Sequence, residues 1–475
     1  MEHALKFYIN GEWVDPVSPQ TLDVINPATE KSMGQISLGS AADVDKAVAA
    51  AKEAFKSYSQ TSREERIGYL EKILKGYKAR MTDIGNAISD EMGAPMALAQ
   101  GSQAGAGYSH FKSALEALKT YEFESELGNT RILHEPIGVC GLITPWNWPM
   151  NQIAHKVGPA LACGCTMVLK PSEIAPFDAI IMAEIIDEAG LPAGVFNLVN
   201  GEGPIVGEAM SAHKDIDMMS FTGSTRAGTA VARAAAATVK RVAQELGGKS
   251  PNIILDDANM EQAITVSVLT MMNNTGQSCN APSRMLVPAS RLEEVKAIAI
   301  RVAESIVTGD PRNSATTMGP VVSELQWNKI QDLINKGIEE GCEVITGGPG
   351  KPAGLETGYY VKPTIFAGVT NDKTIAVEEI FGPVFAIMTY DSEDEAIEIA
   401  NDTVYGLSAY VSSSNIDHAN SVARRLRAGN IHINGQWGTK ATPFGGYKQS
   451  GNGREGGAFG FEDFLEIKAV MGYYE

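Results

Sequence analysis

The stretch NNTGQSCNAPSR, residues 273–284, sets one cysteine, Cys279, among Gly276, Gln277, Ser278, Asn280 and Pro282. Free cysteines are mostly buried and inert, and this setting is too polar and loop-like for a core position. The placement asks for a chemical reason. Upstream, TPWNWPMN (144–151) gathers two tryptophans and two prolines around Asn147. A side-chain amide in so rigid and water-poor a frame can donate to a developing oxyanion; a well-packed aromatic loop is the plainer alternative. In AQELGGKSPNIIL (243–255), Glu245 precedes a Gly-Gly break and reads as the end of a helix. It is either an ordinary exposed helix residue or a base aimed into a cleft between domains.

Other stretches suit a nucleotide. SFTGSTRAG (220–228) runs from a strand end through Gly223 and Ser224 into a helix, whose N-terminal N–H groups can meet a phosphate. The match to G-x-G-x-x-G is imperfect, and such glycines often serve only to turn the chain. NGEGPIVG (200–207) is a weaker case of the same kind. TMVLKPSEIAPF (166–177) closes a buried strand with Lys170, Pro171 and Glu173. That is a solvated loop, or, at the carboxyl end of a parallel strand, a carboxylate placed for two ribose hydroxyls.

The elements that must position these groups alternate. Residues 138–247 give GVCGLIT, TMVLK, FDAIIMAEIIDEAG, VFNLV and MMSFTG followed by a helix, the rhythm of βαβ units on a parallel sheet. The rhythm resumes after Pro251. Earlier, FYINGEWV and DVIN are strand-like, and SAADVDKAVAAAKEAFKSY predicts a helix capped by Ser40 with apolar residues at helical spacing. Residues 122–139 alternate around Gly128-Asn129, a hairpin turn signal, and the tail FLEIKAVMGYY has strand character.

At 475 residues the chain is too long for one core and calls for two or three domains. Apolar residues make up 44% and charged residues 20%, an ordinary soluble composition. The net charge of −18, spread along the chain, argues against nucleic acid and anionic membrane as partners. The longest nearly apolar run, 158–169, is too short to span a bilayer. The start shows no secretion signal. The five cysteines form no disulfide framework, and the CGC pair at 163–165, with no second pair nearby, argues against a zinc site. No metal is expected, and a reducing cytoplasm suits the chain.

In order, PWNWP, KPSE, FTGST, ELGGKSP, GQSCNAPSR, EEIFGPV (378–384) and PFGGYKQSGNGRE (443–455) resemble the NAD(P)-dependent aldehyde dehydrogenase superfamily over essentially the whole chain. The resemblance implies an α/β fold of two doubly wound parallel-sheet domains plus a β-hairpin oligomerisation module. Its division is 1–119 and 137–247 for NAD, 248–445 for catalysis, and 120–136 with 446–475 for assembly into a homodimer or homotetramer. It implies oxidation of an aldehyde to the carboxylic acid through a thiohemiacetal and a thioester on Cys279. Asn147 and the Cys279 N–H would hold the oxyanion, and Glu245 would activate the hydrolytic water. Lys170 and Glu173 match adenosine-ribose contacts, Gly223 and Ser224 the pyrophosphate turn, and Glu379 and Phe381 the nicotinamide riboside; Trp146 lies near the cofactor. Glu173 would repel a 2′-phosphate, which favours NAD, although some relatives keep this Glu and accept NADP.

The chain departs from relatives that oxidise small aldehydes. His155, Asn273 and Gly438 stand where aromatics line the tunnel, although Trp437 adjoins the last. The expectation is a wider, more polar mouth for a semialdehyde, aryl or heteroaryl aldehyde, unless loop shifts refill the space. Transfer of the thioester to coenzyme A and a recruited non-catalytic role are the rival readings. The presence of Glu245, Cys279 and Asn147 argues against both.

Overall fold

Hydrophobic strands flanked by amphipathic helices build two sheets, each buried on both faces. In the computed structural model, which describes residues 1–474, the first sheet has the order Gly451–Asn452, Arg241–Glu245, Met218–Thr222, Val139–Ile143, Thr166–Lys170, Phe196–Leu198, Phe7–Ile9, Glu12–Val14. Its centre is parallel, with Met218 opposite Cys140 on one side and Arg241 on the other. Side chains alternate between two cores: Cys140, Leu142, Met167 and Leu169 enter one, and Val139, Ile143, Val168 and Met219 the other. This two-sided burial explains why these strands read as continuous apolar runs.

The second sheet has the order Glu343–Thr346, Thr364–Ala367, Val384–Tyr390, Arg284–Pro288, Pro251–Ile254, Ser408–Ser412, Asn430–Ile433, parallel except at its first strand. Here too Leu286, Ala386 and Met388 face one core while Met285, Val287, Phe385 and Ile387 face the other. A third, small antiparallel sheet pairs Thr130–Pro136 with Glu124–Leu127 and with Leu465–Met471. Its tight turn is Gly128-Asn129, and the tail is its third strand. The segment between does something else: Gly451–Asn452 pairs with Gln244 and Glu245 at the edge of the first sheet.

Local signals mostly hold. The helix Ala41–Tyr58 starts at Ser40, whose N–H donates to the Asp43 carboxylate at 2.9 Å. The helix Thr225–Ala235 starts at Ser224, whose hydroxyl accepts from the Ala227 N–H at 3.2 Å. Glu245 requires correction. It ends the strand Arg241–Glu245 and no helix, because pairing with Met218–Thr222 on one side and Asn452 on the other overrides the helical propensity of VAQEL.

Arg284, fully buried, fastens the second sheet to the loops before it. Its guanidinium donates to the carbonyls of Lys249 (3.1 Å), Ile399 (2.9 Å) and Ala400 (2.9 Å) and to Asn371 Oδ1 (3.1 Å). Replacing it by Met would strand those acceptors in the core at a cost of about 3 kcal/mol. Arg284→Met should therefore unfold at clearly lower denaturant than the wild type in a fluorescence-monitored urea titration.

Candidate active site

The carboxyl ends of the first sheet meet the amino ends of the second. After Ile143 come Trp146 and Asn147; after Lys170, Glu173; after Thr222, Gly223 and Ser224; and Glu245 is itself a strand end. Facing them, Cys279 precedes the strand Arg284–Pro288, and Glu379 and Phe381 precede Val384–Tyr390. Loops from the two sheets thus share one seam, the position where open α/β sheets hold ligands.

The cysteine loop is built on a left-handed turn. Asn274, Thr275 and Gly276 have φ of 53°, 57° and 69°. A β-branched residue in this region is strained, so the surroundings must hold it. Thr275 Oγ1 donates to the Gly319 carbonyl at 3.1 Å, and a Cβ on Gly276 would lie 2.1 Å from the Gly382 carbonyl oxygen. Asn274 Nδ2 donates to the carbonyls of Asn147 (2.9 Å) and Gln277 (3.1 Å), while its Oδ1 accepts from Gln103 Nε2 at 2.8 Å. Asn147 Nδ2 returns a bond to Gln277 O at 3.0 Å, and Trp148 Nε1 donates to Ser278 Oγ at 2.8 Å. Asn147 is therefore buried with one amide N–H committed and a second left to give.

Electrostatics separate the acids from the thiol. Glu245 is 4% exposed, and neither carboxylate oxygen has a hydrogen-bond partner. Burial first, and then the charge of Glu455, push its pKa well above the ordinary carboxylate range. Cys279 is partly exposed, yet its crowded surroundings raise its thiol, with the carboxylates of Glu379 and Glu245 adding to the effect. A thiol so placed rests protonated and needs a base or a nearby positive charge to become a nucleophile.

The 378–381 backbone is clamped. Its four successive carbonyls accept from Lys249 Nζ (2.8 Å), Lys329 Nζ (2.8 Å) and, for the last two, Gln326 Nε2 (3.1 and 2.8 Å). Glu379 Oε1 accepts from the Gly248 N–H at 2.8 Å, and a Cβ on Gly247 would meet Glu379 Oε2 at 2.4 Å. Phe381, at φ 60°, sets its ring edge-on to Trp146 with centroids 5.4 Å apart. Lys170 Nζ bonds Glu173 Oε2 at 3.0 Å. Beside the helix that Ser224 caps lies a cleft of about 590 Å³ lined by Thr225, Thr229, Arg233, Gln244 and Leu246, of a size that takes a nucleoside.

The three residues expected at a wide polar mouth do not form one wall. Asn273 and Gly438 are exposed, while His155 is buried with its Nδ1 3.2 Å from Glu455. An aromatic group stands elsewhere: Tyr410 stacks on His432 (4.7 Å, 16°), which touches Trp437 (4.5 Å), and the Tyr410 hydroxyl donates to the Asn280 carbonyl at 2.7 Å. Sequence reasoning also missed Asn274, Gln277, Gln103, Lys156 and Glu455. The last lies within the quoted PFGGYKQSGNGRE, but no local signal marks the others as partners.

The sequence model described as the aldehyde dehydrogenase family matches residues 13–470. A Pseudomonas sp. protein named 3-succinoylsemialdehyde-pyridine dehydrogenase is 59% identical over 100% of this chain and 99% of its own. Among solved structures, a variant of aldehyde dehydrogenase C from Pseudomonas syringae, complexed with NAD+ and octanal, is 52% identical. It superposes with TM-score 0.99 over 100% of this chain and 98% of that one. The NAD+ complex of a Bacillus cereus aldehyde dehydrogenase is 39% identical, with TM-score 0.95 over 98% and 96%.

Removing the Asn274 amide takes one donor from each of the Asn147 and Gln277 carbonyls and the oxygen acceptor from Gln103, and frees the cysteine loop. Asn274→Ala should lose about 10- to 100-fold in turnover, the scale of a small misplacement of reacting groups, while the dissociation constant for NAD, read by calorimetry, stays near that of the wild type.

Proposed function

The chain belongs to the aldehyde dehydrogenase family, oxidising an aldehyde to the carboxylic acid with NAD as hydride acceptor, and we propose that Cys279, Glu245 and Asn147 carry the chemistry. The observation behind this assignment is the buried, unpartnered carboxylate of Glu245 within electrostatic reach of the Cys279 thiol. A carboxylate kept dry and unbonded is costly and is suited to take a proton from water near neutral pH.

The Cys279 thiol gives its proton to solvent, its sulfur attacks the carbonyl carbon, and as the S–C bond forms the C=O pair moves onto oxygen as negative charge. The free N–H of Asn147 and the backbone N–H of Cys279 receive that charge, a contribution of about two to three orders of magnitude in similar sites. With NAD bound, its nicotinamide would accept the hydride from that carbon, leaving a thioester on Cys279. Glu245 then takes a proton from water, whose oxygen attacks the thioester carbon; the C–S bond breaks, the acid leaves, and the proton on Glu245 passes to the Cys279 sulfur.

For the cofactor, the fit rests on the clamped Glu379, the glycine approach at 247–248, the Ser224-capped helix beside its cleft, and the Lys170–Glu173 pair. Glu379 and Phe381 would hold the nicotinamide riboside beside Trp146. Gly223 and Ser224 would hold the pyrophosphate, and Lys170 with Glu173 the adenosine ribose. The partly exposed Glu173 carboxylate favours free ribose hydroxyls and NAD over NADP. Residues 1–119 and 137–247 form the NAD-binding unit in this reading, and 248–445 the catalytic one. The small sheet exposes Leu127, Ile467 and Met471, the apolar surface of a homo-oligomer contact, so 120–136 and the tail from 465 act in assembly. Among the described residues no helix is long and apolar enough to cross a membrane and no metal-ligating group occurs; a cytoplasmic enzyme is the reading we adopt.

The substrate is an aldehyde with a tail larger than acetaldehyde's. The stacked Tyr410–His432–Trp437 group, tied to the residue after Cys279, offers π-faces to an aryl or heteroaryl tail. The names of the Pseudomonas relatives, with a pyridyl semialdehyde and octanal, point the same way.

Two measurements test this assignment. Cys279→Ala should form no NADH, whereas Glu245→Gln should give a burst of about one NADH per site followed by a slow steady state, as an acyl-enzyme awaiting its base does; a full steady-state rate in either variant removes the assignment. In a panel without coenzyme A, kcat/KM for 3-succinoylsemialdehyde-pyridine and octanal should exceed that for acetaldehyde by about tenfold or more, the scale of pocket contacts to a few carbons. A preference for acetaldehyde removes the substrate reading.

A further inference from the structure

The second sheet sets Tyr410 against the cysteine loop. Along the strand Ser408–Ser412, Ala409 and Val411 enter the core, and on its neighbour Asn430–Ile433, Ile431 and Ile433 pack against the same core. Alternation along a strand turns the residues between them to the other face. Those residues are Tyr410 and His432, directly opposite each other in the parallel register. Their rings stack with centroids 4.7 Å apart, and Trp437 stands edge-on to Tyr410 at 6.4 Å. His432 Nδ1 meets the Gln436 carbonyl at 3.0 Å, so that nitrogen carries the proton and ties the ring to its own turn. The phenol is thereby held from behind, and its hydroxyl donates to the Asn280 carbonyl at 2.7 Å.

That carbonyl belongs to a tight turn with Cys279 at its centre. The Ala281 N–H returns to the Ser278 carbonyl at 3.0 Å, so Cys279 and Asn280 are the two middle residues. Upstream the turn is fixed by the loop after the first sheet: Asn147 Nδ2 donates to the Gln277 carbonyl and Trp148 Nε1 to Ser278 Oγ. In the middle, the Cys279 carbonyl packs on Gly248, where a Cβ would lie 2.5 Å from its oxygen. Downstream, the peptide between Asn280 and Ala281 is bonded at both ends, its N–H to Ser278 and its carbonyl to Tyr410.

We propose that Tyr410 is a positioning residue for the attack on the aldehyde: its hydroxyl locks the Ser278–Ala281 turn, and so aims the Cys279 sulfur and the Cys279 N–H at the same carbonyl group. The inference rests on the reading of Cys279 as the nucleophile. A turn with one internal hydrogen bond can change its peptide orientations, and each such change would swing the sulfur and the oxyanion donor together. With the Tyr410 bond in place, the peptide after the turn cannot rotate without losing both of its partners. Burial, and then the nearby Cys279, push the Tyr410 phenol well above its usual range, so it remains a donor at any pH near neutrality.

Tyr410→Phe removes the hydroxyl and keeps the ring on His432. The test is NADH formation in a single turnover, with the enzyme saturated by NAD and in excess over aldehyde, which reads attack and hydride transfer before hydrolysis. The rate should fall about tenfold, the scale of a small misplacement of reacting groups. The fall should be similar for acetaldehyde, octanal and 3-succinoylsemialdehyde-pyridine, with the dissociation constant for NAD and the urea midpoint near those of the wild type. An unchanged rate overturns the inference. A fall confined to the aryl substrate also overturns it, since Tyr410 would then be a contact for the tail alone. So does a fall matched by weaker NAD binding and a lower urea midpoint, the signature of a purely structural role. NADH formed by Cys279→Ala removes the nucleophile reading itself; none formed there, with an unchanged rate in Tyr410→Phe, removes this inference alone.

Discussion

Asn274 is the point through which the two domains define one site. Its amide reaches the backbone of the Asn147 loop and the cysteine loop at once, and its carbonyl is met by Gln103 from the helical segment Leu98–Gln103. Each partner is buried, so each bond replaces one that water can no longer make. The same residue opens a left-handed turn that carries Thr275 in a conformation it would not adopt alone. Strain in the turn and saturation of the amide belong together, because the bonds fix the turn and the turn aims the next three residues at the seam.

The acids show the complementary arrangement. Where the cysteine loop is fully bonded, Glu245 is left without partners beside another buried acid. A protein selected for stability alone would pair or remove such a carboxylate. Glu455 nearby receives the Lys156 ammonium on one oxygen at 2.7 Å, and that charge holds its carboxyl below the usual range. Two carboxylates of the same chemistry are thus driven to different proton affinities by the number of donors each receives. That difference is how one site keeps one carboxyl ionised while the other holds its proton more tightly at the same pH.

Much of this was legible in the sequence where the signal is local. The strands of the first sheet announce themselves as short apolar runs, Gly128-Asn129 as a turn, Ser40 and Ser224 as caps, and the tail as a strand. Cys279 stood out because its surroundings were wrong for a core, and Asn147 because it sits in a rigid frame of two tryptophans and two prolines. Glu245 was picked out with the wrong element around it, since VAQEL has helical propensity and its strand exists only through pairing with Thr222, 23 positions earlier, and Gly451, 206 later. His155 was read as an opening in the tunnel because its partner, Glu455, lies 300 residues away. Nothing in a linear pattern states that pairing.

Those long-range pairings also explain why the segment after Gly445 is richer in function than a tail module. Gly451 packs onto the Gln244 carbonyl so closely that a Cβ would lie 2.0 Å from it. Ser450 Oγ donates to the Gly247 carbonyl at 2.7 Å and accepts from the Gly406 N–H at 3.0 Å. A short glycine-rich stretch therefore touches the end of the Arg241–Glu245 strand, the glycine approach to Glu379 and the second sheet in succession. Backbone can come this close only where side chains are absent. Those glycines let one segment register both sheets against each other while delivering Glu455 to the side of Glu245.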